Sequence, residues 1–251
     1  MAGITVYIRF YEELNDFLPP HQAKKDLTVH FYNKPSVKDL IESFGVPHTE
    51  VDLILINGLP SGFETRLQNQ DRISVYPKFE AIDISPVSVL RERPLRTTRF
   101  IVDVHLGKLA RYLRLCGFDT LYANDYEDRT IANISLSEHR IILTRDIGIL
   151  KYSNVQHGYW LRSAQPSRQL REVIQRFDLK HQIDLFTRCM ECNGKIQPVE
   201  KHSITDQLPE GTRKYYNVFY QCSQCGKIYW KGSHYQDMIK RIARVLNLSI
   251  S

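Results

Sequence analysis

Short stretches in which apolar and polar residues alternate mark the first 83 residues, a pattern typical of half-buried β-strands. ITVYIRF and LTVHFY alternate in this way, VDLILING is a more continuous apolar run, and DRISVYP ends at Pro77. Between the second and third stretches, SVKDLIESFG predicts a helix. The predicted order is strand, strand, helix, strand, strand, which is that of a small β-grasp domain over residues 1–83.

Local signals at the ends of these elements support this interpretation. Ser36 and Asp39 have the spacing of a helix capping box, and Gly45 is suited to the helix C-terminus. The pair Asn57-Gly58 is a strong signal for a tight turn after the third stretch.

Residues 99–180 alternate short apolar runs with helical patterns, which predicts a parallel sheet covered on both sides. The predicted strands are RFIVDV, FDTLYA, RIILTRD and HGYWLRS, and the predicted helices are HLGKLARYLRLCG, DRTIANISLSEH and SRQLREVIQRF. In the first helix, Lys108, Arg111 and Arg114 are expected on the polar face, opposite the leucines.

Acidic residues follow several of these strands. Asp103 and Asp146 each end a predicted strand, and Asp125, Glu127 and Asp128 follow another. The C-terminal ends of parallel strands meet at one edge of a sheet, where ligands bind. Carboxylates gathered there would repel one another unless a hard cation such as Mg²⁺ or Mn²⁺ were bound. Such a cation can activate water for an in-line displacement at phosphorus.

Each acid also has a simpler explanation. Asp128 precedes a helical pattern and is suited to an N-cap, and Asp146 is suited to a turn. Taken singly, each acid is better explained in this way. Taken together, they favour a cation site, in which Asp128 and Asp125 are alternatives for the middle ligand.

Two CxxC pairs lie in the C-terminal region. Cys189 and Cys192 are separated by 29 residues from Cys222 and Cys225. Four thiolates predict a closed tetrahedral Zn²⁺ site of structural type, with a redox pair or an iron–sulfur cluster as alternatives. The long gap requires an inserted hairpin, one strand of which RKYYNVFYQC can supply. Cys116 lies on an apolar helix face and is expected to be a buried free thiol.

The region from 181 to 251 also interleaves aromatic and basic residues. They are Tyr215, Tyr216, Phe219, Tyr220, Lys227, Tyr229, Trp230 and Lys231. Such residues can stack on unpaired bases and follow a phosphate backbone, but Phe219 and Tyr229 are better candidates for a small core. Trp230 is the best candidate for RNA contact. HYQDMIKRIARVLNL predicts a packed terminal helix with one basic face.

The charge of the 251-residue chain is unevenly distributed. Residues 1–85 carry 8 Lys and Arg against 12 Asp and Glu, whereas residues 86–251 carry 26 against 16. The basic part is suited to a polyanion, or has a solvated basic surface without a partner. Residues 84–98, with two prolines and no steady period, predict a linker. The composition excludes collagen, coiled coil and wholesale disorder, and no apolar run is long enough to span a bilayer.

Several of these motifs together resemble a known family. FIVDVHLGKLARYLRLCGFDTLYANDYED, RIILTRD, RCMECNGK and CSQCGKIYWKGSHY are similar in order and spacing to the mutator-seven C-terminal RNase family, a PIN-like nuclease branch with a zinc ribbon. The resemblance covers about residues 99–240. Residues 1–83 resemble the ubiquitin-like carriers of the ThiS/MoaD type, but the last strand runs on without a Gly-Gly tail, which favours a docking or structural role over sulfur transfer.

The resemblance implies an α/β PIN-like fold with Mg²⁺ or Mn²⁺ held by acids. Its first acid corresponds to Asp103 and the acid of the TRD motif to Asp146, while the middle acid is Asp128 or, second, Asp125. The stretch GYWLRSAQ lacks a fourth acid, which implies a weaker second metal site or a one-metal mechanism. Expected substrate contacts are Lys108, Arg111, Arg114, Arg145 and Trp230.

We therefore expect a cytoplasmic, metal-dependent ribonuclease. Its predicted parts are a ubiquitin-like domain (1–83), a linker (84–98), a PIN-like RNase domain (99–180) and a zinc ribbon with a terminal helix (181–251). Its expected partners are single-stranded or structured RNA and a protein bound by the β-grasp domain, with no membrane. The alternatives are a non-catalytic RNA-binding or ribosome-associated adaptor and an accessory factor in sulfur transfer.

Overall fold

The computed structural model describes residues 3–77 and 98–247. Of the predicted linker, only its last residue falls within these ranges. Contacts divide the chain into two compact units, one formed by Met1–Thr97 with Asp128–Trp160 and the other by Thr98–Glu127 with Leu161–Ser251.

Twelve strands and eight α-helices are present in the described ranges. The strands are β1 (Ile4–Phe10), β2 (Leu27–Phe31), β3 (Val51–Ile56), β4 (Leu59–Pro60), β5 (Arg72–Pro77), β6 (Arg99–Val102), β7 (Asp119–Leu121), β8 (Ile141–Thr144), β9 (Gly158–Trp160), β10 (Ile196–Val199), β11 (Phe219–Cys222) and β12 (Ile228–Trp230). The helices are α1 (Val37–Ser43), α2 (Gly107–Leu115), α3 (Asp128–Glu138), α4 (Ile147–Leu150), α5 (Pro166–Arg176), α6 (Lys201–Ile204), α7 (Glu210–Tyr215) and α8 (Ser233–Leu246).

The N-terminal strands form one mixed sheet in the order β2-β1-β5-β3-β4. Strand β1 runs antiparallel to β2 and parallel to β5, and β3 runs antiparallel to β5. The alternating residues of β1 that face inward pack with α1 around a single core. Asn57 and Gly58 have φ angles of 53° and 83°, and the turn they form adds the short strand β4 to the four predicted strands.

The predicted capping box begins α1. The Ser36 hydroxyl accepts a hydrogen bond from the Asp39 amide at 3.1 Å, and the Asp39 carboxylate accepts one from the Ser36 amide at 3.0 Å. These hydrogen bonds hold the pKa of Asp39 below its ordinary value. Gly45 follows the helix with a φ of 89°, a conformation that glycine adopts without strain.

Each compact unit also contains a pair of parallel strands with an α-helix between them along the chain. In the first unit β8 pairs with β9, so that Thr144 lies opposite Trp160. In the second unit β6 pairs with β7, so that Phe100 lies opposite Thr120. Parallel pairing and the alternation of strands with helices confirm the predicted parallel architecture of this region.

The second unit contains the C-terminal elements as well. Helix α5 packs against α2 and α8, and β10, β11 and β12 form an antiparallel sheet in that order. Strands β10 and β11 are the paired strands of the hairpin expected between the two CxxC pairs, and α6 and α7 lie between them in sequence. Ile204, Leu208 and Phe219 form a small separate core. Across 3–77 and 98–247, every helix is too short or too polar to traverse a bilayer.

Candidate functional site

The four cysteines of the CxxC pairs come together in the second unit. The Sγ atoms of Cys189 and Cys225 are 3.7 Å apart, and those of Cys192 and Cys222 are 3.3 Å apart. All four sulfur atoms lie within 4.8 Å of one another. When residues 3–77 and 98–247 are searched for three or more His, Cys, Asp or Glu side chains close enough to share a metal ion, these four cysteines are the group found.

Each CxxC pair lies in a tight turn, which we call the first knuckle (residues 189–194) and the second knuckle (residues 222–226). Backbone amides of both knuckles point at the sulfur atoms. The amide of Gly194 approaches Cys192 Sγ at 3.4 Å, and the amide of Gln224 approaches Cys222 Sγ at the same distance. A Cβ atom at position 194 would lie 2.8 Å from Cys222 Sγ, so only glycine fits there. N–H groups aimed at sulfur stabilise thiolates, which are the form of cysteine that binds metals.

The thiols cannot all ionise without a cation. Burial opposes ionisation of Cys189, but hydrogen bonds from the Tyr229 hydroxyl and from backbone amides outweigh it and lower its pKa to about 7. Burial and the neighbouring cysteines raise the pKa of Cys192 to about 12 and also raise that of Cys225. A divalent cation would remove this mutual repulsion, and four sulfur donors are the set that Zn²⁺ prefers.

Arg114 fixes the first knuckle to β7 and is not on the exposed face where the helical pattern placed it. It is only 3% exposed. Its Nε donates to the carbonyl of Thr120 at 2.9 Å, and its Nη1 donates to the carbonyls of Met190 and Glu191 at 3.1 and 2.7 Å. The predicted position of Arg114 on the exposed face of the helix is therefore wrong, because its Nε and Nη1 donate to buried or half-buried backbone, while its role in binding a phosphate stays a prediction.

Asn193 makes a second connection to β7, which the sequence analysis missed. Its Oδ1 accepts from the Thr120 amide at 2.9 Å, and its Nδ2 donates to the Asp119 carboxylate at 2.8 Å. The same carboxylate forms an ion pair with Arg188 at 3.3 Å. The residue has a φ of 70° and directly follows a CxxC pair. An Asn-Gly at this point is the one local signal that could have identified it.

The other expected substrate contacts lie in different surroundings. Lys108 and Arg145 are exposed. Arg111 is also exposed, and it shares the Glu191 carboxylate with Lys227, each at 3.0 Å. Trp230 is half-buried and packs against the small core. Elsewhere in this unit, burial raises the pKa of the Cys116 thiol to about 12, as expected for an inert free cysteine.

Asp103 directly follows β6 and begins a short 3-10 turn. Its Oδ1 accepts from the amide of His105 at 3.1 Å, and its side chain is buried. Asp125 and Glu127 are exposed in the same unit. Asp103 therefore acts as a cap through one carboxylate oxygen, and its position after a parallel strand is the predicted one.

Asp146 occupies the equivalent place after β8 in the first unit. Its Oδ1 accepts from the amide of Gly148 at 2.7 Å, and its own amide donates to the Thr144 hydroxyl at 2.8 Å. The side chain is exposed. Asp128 belongs to the same unit and is the first residue of α3. The structure thus puts two of the three acids in this unit, each at the start of a helix, and their metal-binding role stays a prediction.

Comparison with known proteins gives three matches. The family model described as the Mut7-C RNAse domain matches residues 98–242. The family model described as Mut7-C ubiquitin matches residues 3–83. The human protein named exonuclease mut-7 homolog is 34% identical over 106 residues, which are 40% of this chain and 12% of the human protein. The aligned segment is therefore a small part of that relative's length.

Proposed function

The chain belongs to the Mut7-C RNAse domain family, with a Mut7-C ubiquitin domain in front, and on this premise we propose that it is a metal-dependent ribonuclease. The observation that carries the proposal is the match over 98–242, which includes Asp103, directly after β6, and Asp146, two residues after the end of β8. The human relative is named as an exonuclease, which agrees with this class of activity. The proposed fold of the catalytic part is PIN-like.

Asp103, Asp128 and Asp146 are the proposed ligands of Mg²⁺ or Mn²⁺, with Asp125 as the alternative middle acid. Carboxylate oxygens are the donors that these hard cations prefer, so the residues fit the ion. A bound cation would supply a water of lowered pKa and would offset negative charge on the phosphodiester. The cap that Gly148 forms with Asp146 fixes the orientation of this carboxylate before any ligand arrives.

Exposed basic residues would hold the RNA backbone beside the acids. Arg145 immediately precedes Asp146, and Lys108 and Arg111 lie on the helix that follows Asp103. Cationic side chains at such places orient phosphate groups and raise the local concentration of a polyanion. The excess of Lys and Arg after residue 85 supports RNA as the substrate class.

Zn²⁺ at the four cysteines is the proposed structural metal, in a zinc ribbon formed with β10, β11 and β12. Four protein ligands leave no coordination position for a substrate, so the cluster would stabilise the fold without taking part in cleavage.

The test is cleavage of labelled single-stranded RNA with Mn²⁺ by the full chain and by Asp103→Asn and Asp146→Asn. We expect at least about 100-fold slower cleavage in both variants, because each loses a charged cation ligand. Asp206→Asn, a change at an exposed acid far along the chain from both, is the matched control and should retain activity. Equal cleavage by all four proteins would indicate a contaminating nuclease and refute the proposal.

A non-catalytic RNA-binding protein is the second candidate, and the capping hydrogen bonds of Asp103 and Asp146 favour it. Caps of this kind require no cation. This candidate predicts salt-dependent RNA binding without turnover and no rise in melting temperature on addition of Mn²⁺.

A further inference from the structure

The ubiquitin-like domain packs against the chain segment from 145 to 160 within the first unit. The rings of Phe17 and Trp160 lie 4.9 Å apart, centroid to centroid. The amide of Trp160 donates to Glu50 Oε1 at 2.6 Å. Glu50 has no exposed surface. Since burying a carboxylate is unfavourable without hydrogen bonds to it, this contact is a specific anchor.

A second anchor lies beside the first. His48 is buried, with Nδ1 2.7 Å from the Glu42 carboxylate and Nε2 2.7 Å from the carbonyl of Val155. Both ring nitrogens therefore face acceptors, one on each side of the contact. The backbone also comes close here, because a Cβ atom at Gly158 would lie 3.6 Å from Thr49 Oγ1.

Trp160 connects this contact to the turn that carries Asp146. Its indole Nε1 donates to the carbonyl of Arg145 at 3.3 Å. It also lies opposite Thr144, whose hydroxyl accepts from the Asp146 amide at 2.8 Å. Any displacement of Trp160 would therefore disturb the backbone on which the Asp146 carboxylate is mounted.

We propose that the ubiquitin-like domain is a positioning domain whose docking partner is residues 145–160 of its own chain. Phe17 and Glu50 hold Trp160, and Trp160 holds the Arg145–Asp146 turn in the geometry needed to bind a cation. The role in cation binding rests on the proposed function, whereas the docking and its effect on the turn do not. Groups that orient a metal ligand commonly change metal affinity by about 10 to 100-fold when they are removed.

The first experiment is amide hydrogen exchange of the full, metal-free chain, comparing wild type with Phe17→Ala and Trp160→Phe. We expect exchange in peptides covering 145–150 to accelerate about tenfold in both variants, because they lose the packing or the indole hydrogen bond. Tyr32→Ala, which changes an exposed aromatic residue of the same domain, should behave as wild type. Unchanged exchange at 145–150 in both variants would overturn the inference.

Exchange in β1 serves as the internal check on folding. If Phe17→Ala also accelerates exchange there, its domain has unfolded, and Trp160→Phe then decides alone. That variant retains a ring against Phe17 and removes only the donor to Arg145.

The second experiment measures RNA cleavage at increasing Mn²⁺ for the same proteins. We expect the Mn²⁺ concentration for half-maximal rate to rise about tenfold in Trp160→Phe, with little change in the rate at saturating Mn²⁺. A loss of rate that saturation does not restore, or no change at all, would contradict the positioning role. If wild type neither cleaves RNA nor responds to Mn²⁺, the proposed function fails, while the exchange experiment still decides the docking.

Discussion

Strands β7 and β9 each have a backbone amide that donates to a side chain from another part of the chain. The amide of Thr120 in β7 donates to Asn193 of the cysteine knuckle at 2.9 Å, and the amide of Trp160 in β9 donates to Glu50 of the ubiquitin-like domain at 2.6 Å. A strand with unpaired N–H groups is open to unwanted pairing, and each of these two side chains satisfies one such group.

The two attachments differ in what keeps them in place. On the knuckle side, Asn193 lies beside a buried arginine and four cysteines whose sulfur atoms are close enough to hold one metal ion. On the other side, the contact of Glu50 is accompanied by the ring contact of Phe17 with Trp160, the hydrogen bonds of His48, and a hydrogen bond from Lys151 Nζ to the carbonyl of Glu42 at 3.4 Å. We infer that the knuckle attachment would be permanent with the proposed Zn²⁺ bound, whereas the ubiquitin-like attachment, which involves no proposed metal ligand, is the reversible one.

Removal of the proposed Zn²⁺ is the change with the largest expected effect. Cys222→Ser should abolish stoichiometric zinc and destabilise the second unit by several kcal/mol, since metal binding to such sites contributes roughly 10 kcal/mol to folding. Zinc content by atomic spectroscopy and thermal unfolding measure the two effects.

Cys116→Ala is the matched control for this change. It removes a buried thiol that is not part of the cluster and should leave zinc content at wild-type level. A Cys222→Ser protein with full zinc content and an unchanged melting temperature would contradict the assignment of a structural metal.

Replacement of Arg114 tests the knuckle attachment without touching a cysteine. Arg114→Met should lower the free energy of unfolding by about 3 kcal/mol, because three backbone carbonyls lose the charged donor that a buried side chain supplies. Arg111→Met, one turn earlier on the same helix, removes an exposed ion pair and should cost less than about 1 kcal/mol. Chemical denaturation of both variants gives the comparison, and equal losses would show that the buried contacts are unimportant.

The contrast between Arg114 and Arg111 also shows which contacts could not be predicted from the sequence. The CxxC pairs, the capping box at Ser36 and the Asn57-Gly58 turn are signals within a few residues, and the structure confirms them. Arg114 looked like a solvent-facing residue, because helical spacing cannot show that carbonyls 76 residues later surround it. The contact of Glu50 with β9 spans 110 residues and left no local pattern to recognise.

The attachment of the ubiquitin-like domain to β9 should weaken when the Glu50 carboxylate is removed. Glu50→Ala leaves the Trp160 amide without this acceptor and should cost about 2 kcal/mol, as expected for a buried donor that loses its partner. Glu64→Ala changes an exposed acid of the same domain and should be neutral. Thermal unfolding measures both. A loss for Glu50→Ala as large as that for Cys222→Ser would remove the distinction between a reversible and a permanent attachment.

The capping box of α1 belongs to neither attachment and gives the smallest expected effect. Ser36→Ala removes the acceptor for the Asp39 amide and should cost about 1 kcal/mol. Hydrogen bonds from Ser36 lower the pKa of Asp39 in the folded protein. Its contribution to stability is therefore present above the pKa of the unfolded chain and is lost as the pH falls through the folded value.

The pH dependence separates this cap from the other contacts. In Asp39→Asn no carboxylate titrates, so the stability difference from wild type should narrow as the pH falls from 7 to about 3. Denaturant unfolding across that pH range measures the difference in stability. In Asp39→Asn at neutral pH, hydrogen exchange at 145–150 should stay at the wild-type rate. A constant stability difference would mean that the charge of Asp39 adds nothing to the cap. Faster exchange at 145–150 would mean that the cap of α1 affects the contact between the ubiquitin-like domain and residues 145–160, so the two could not be independent.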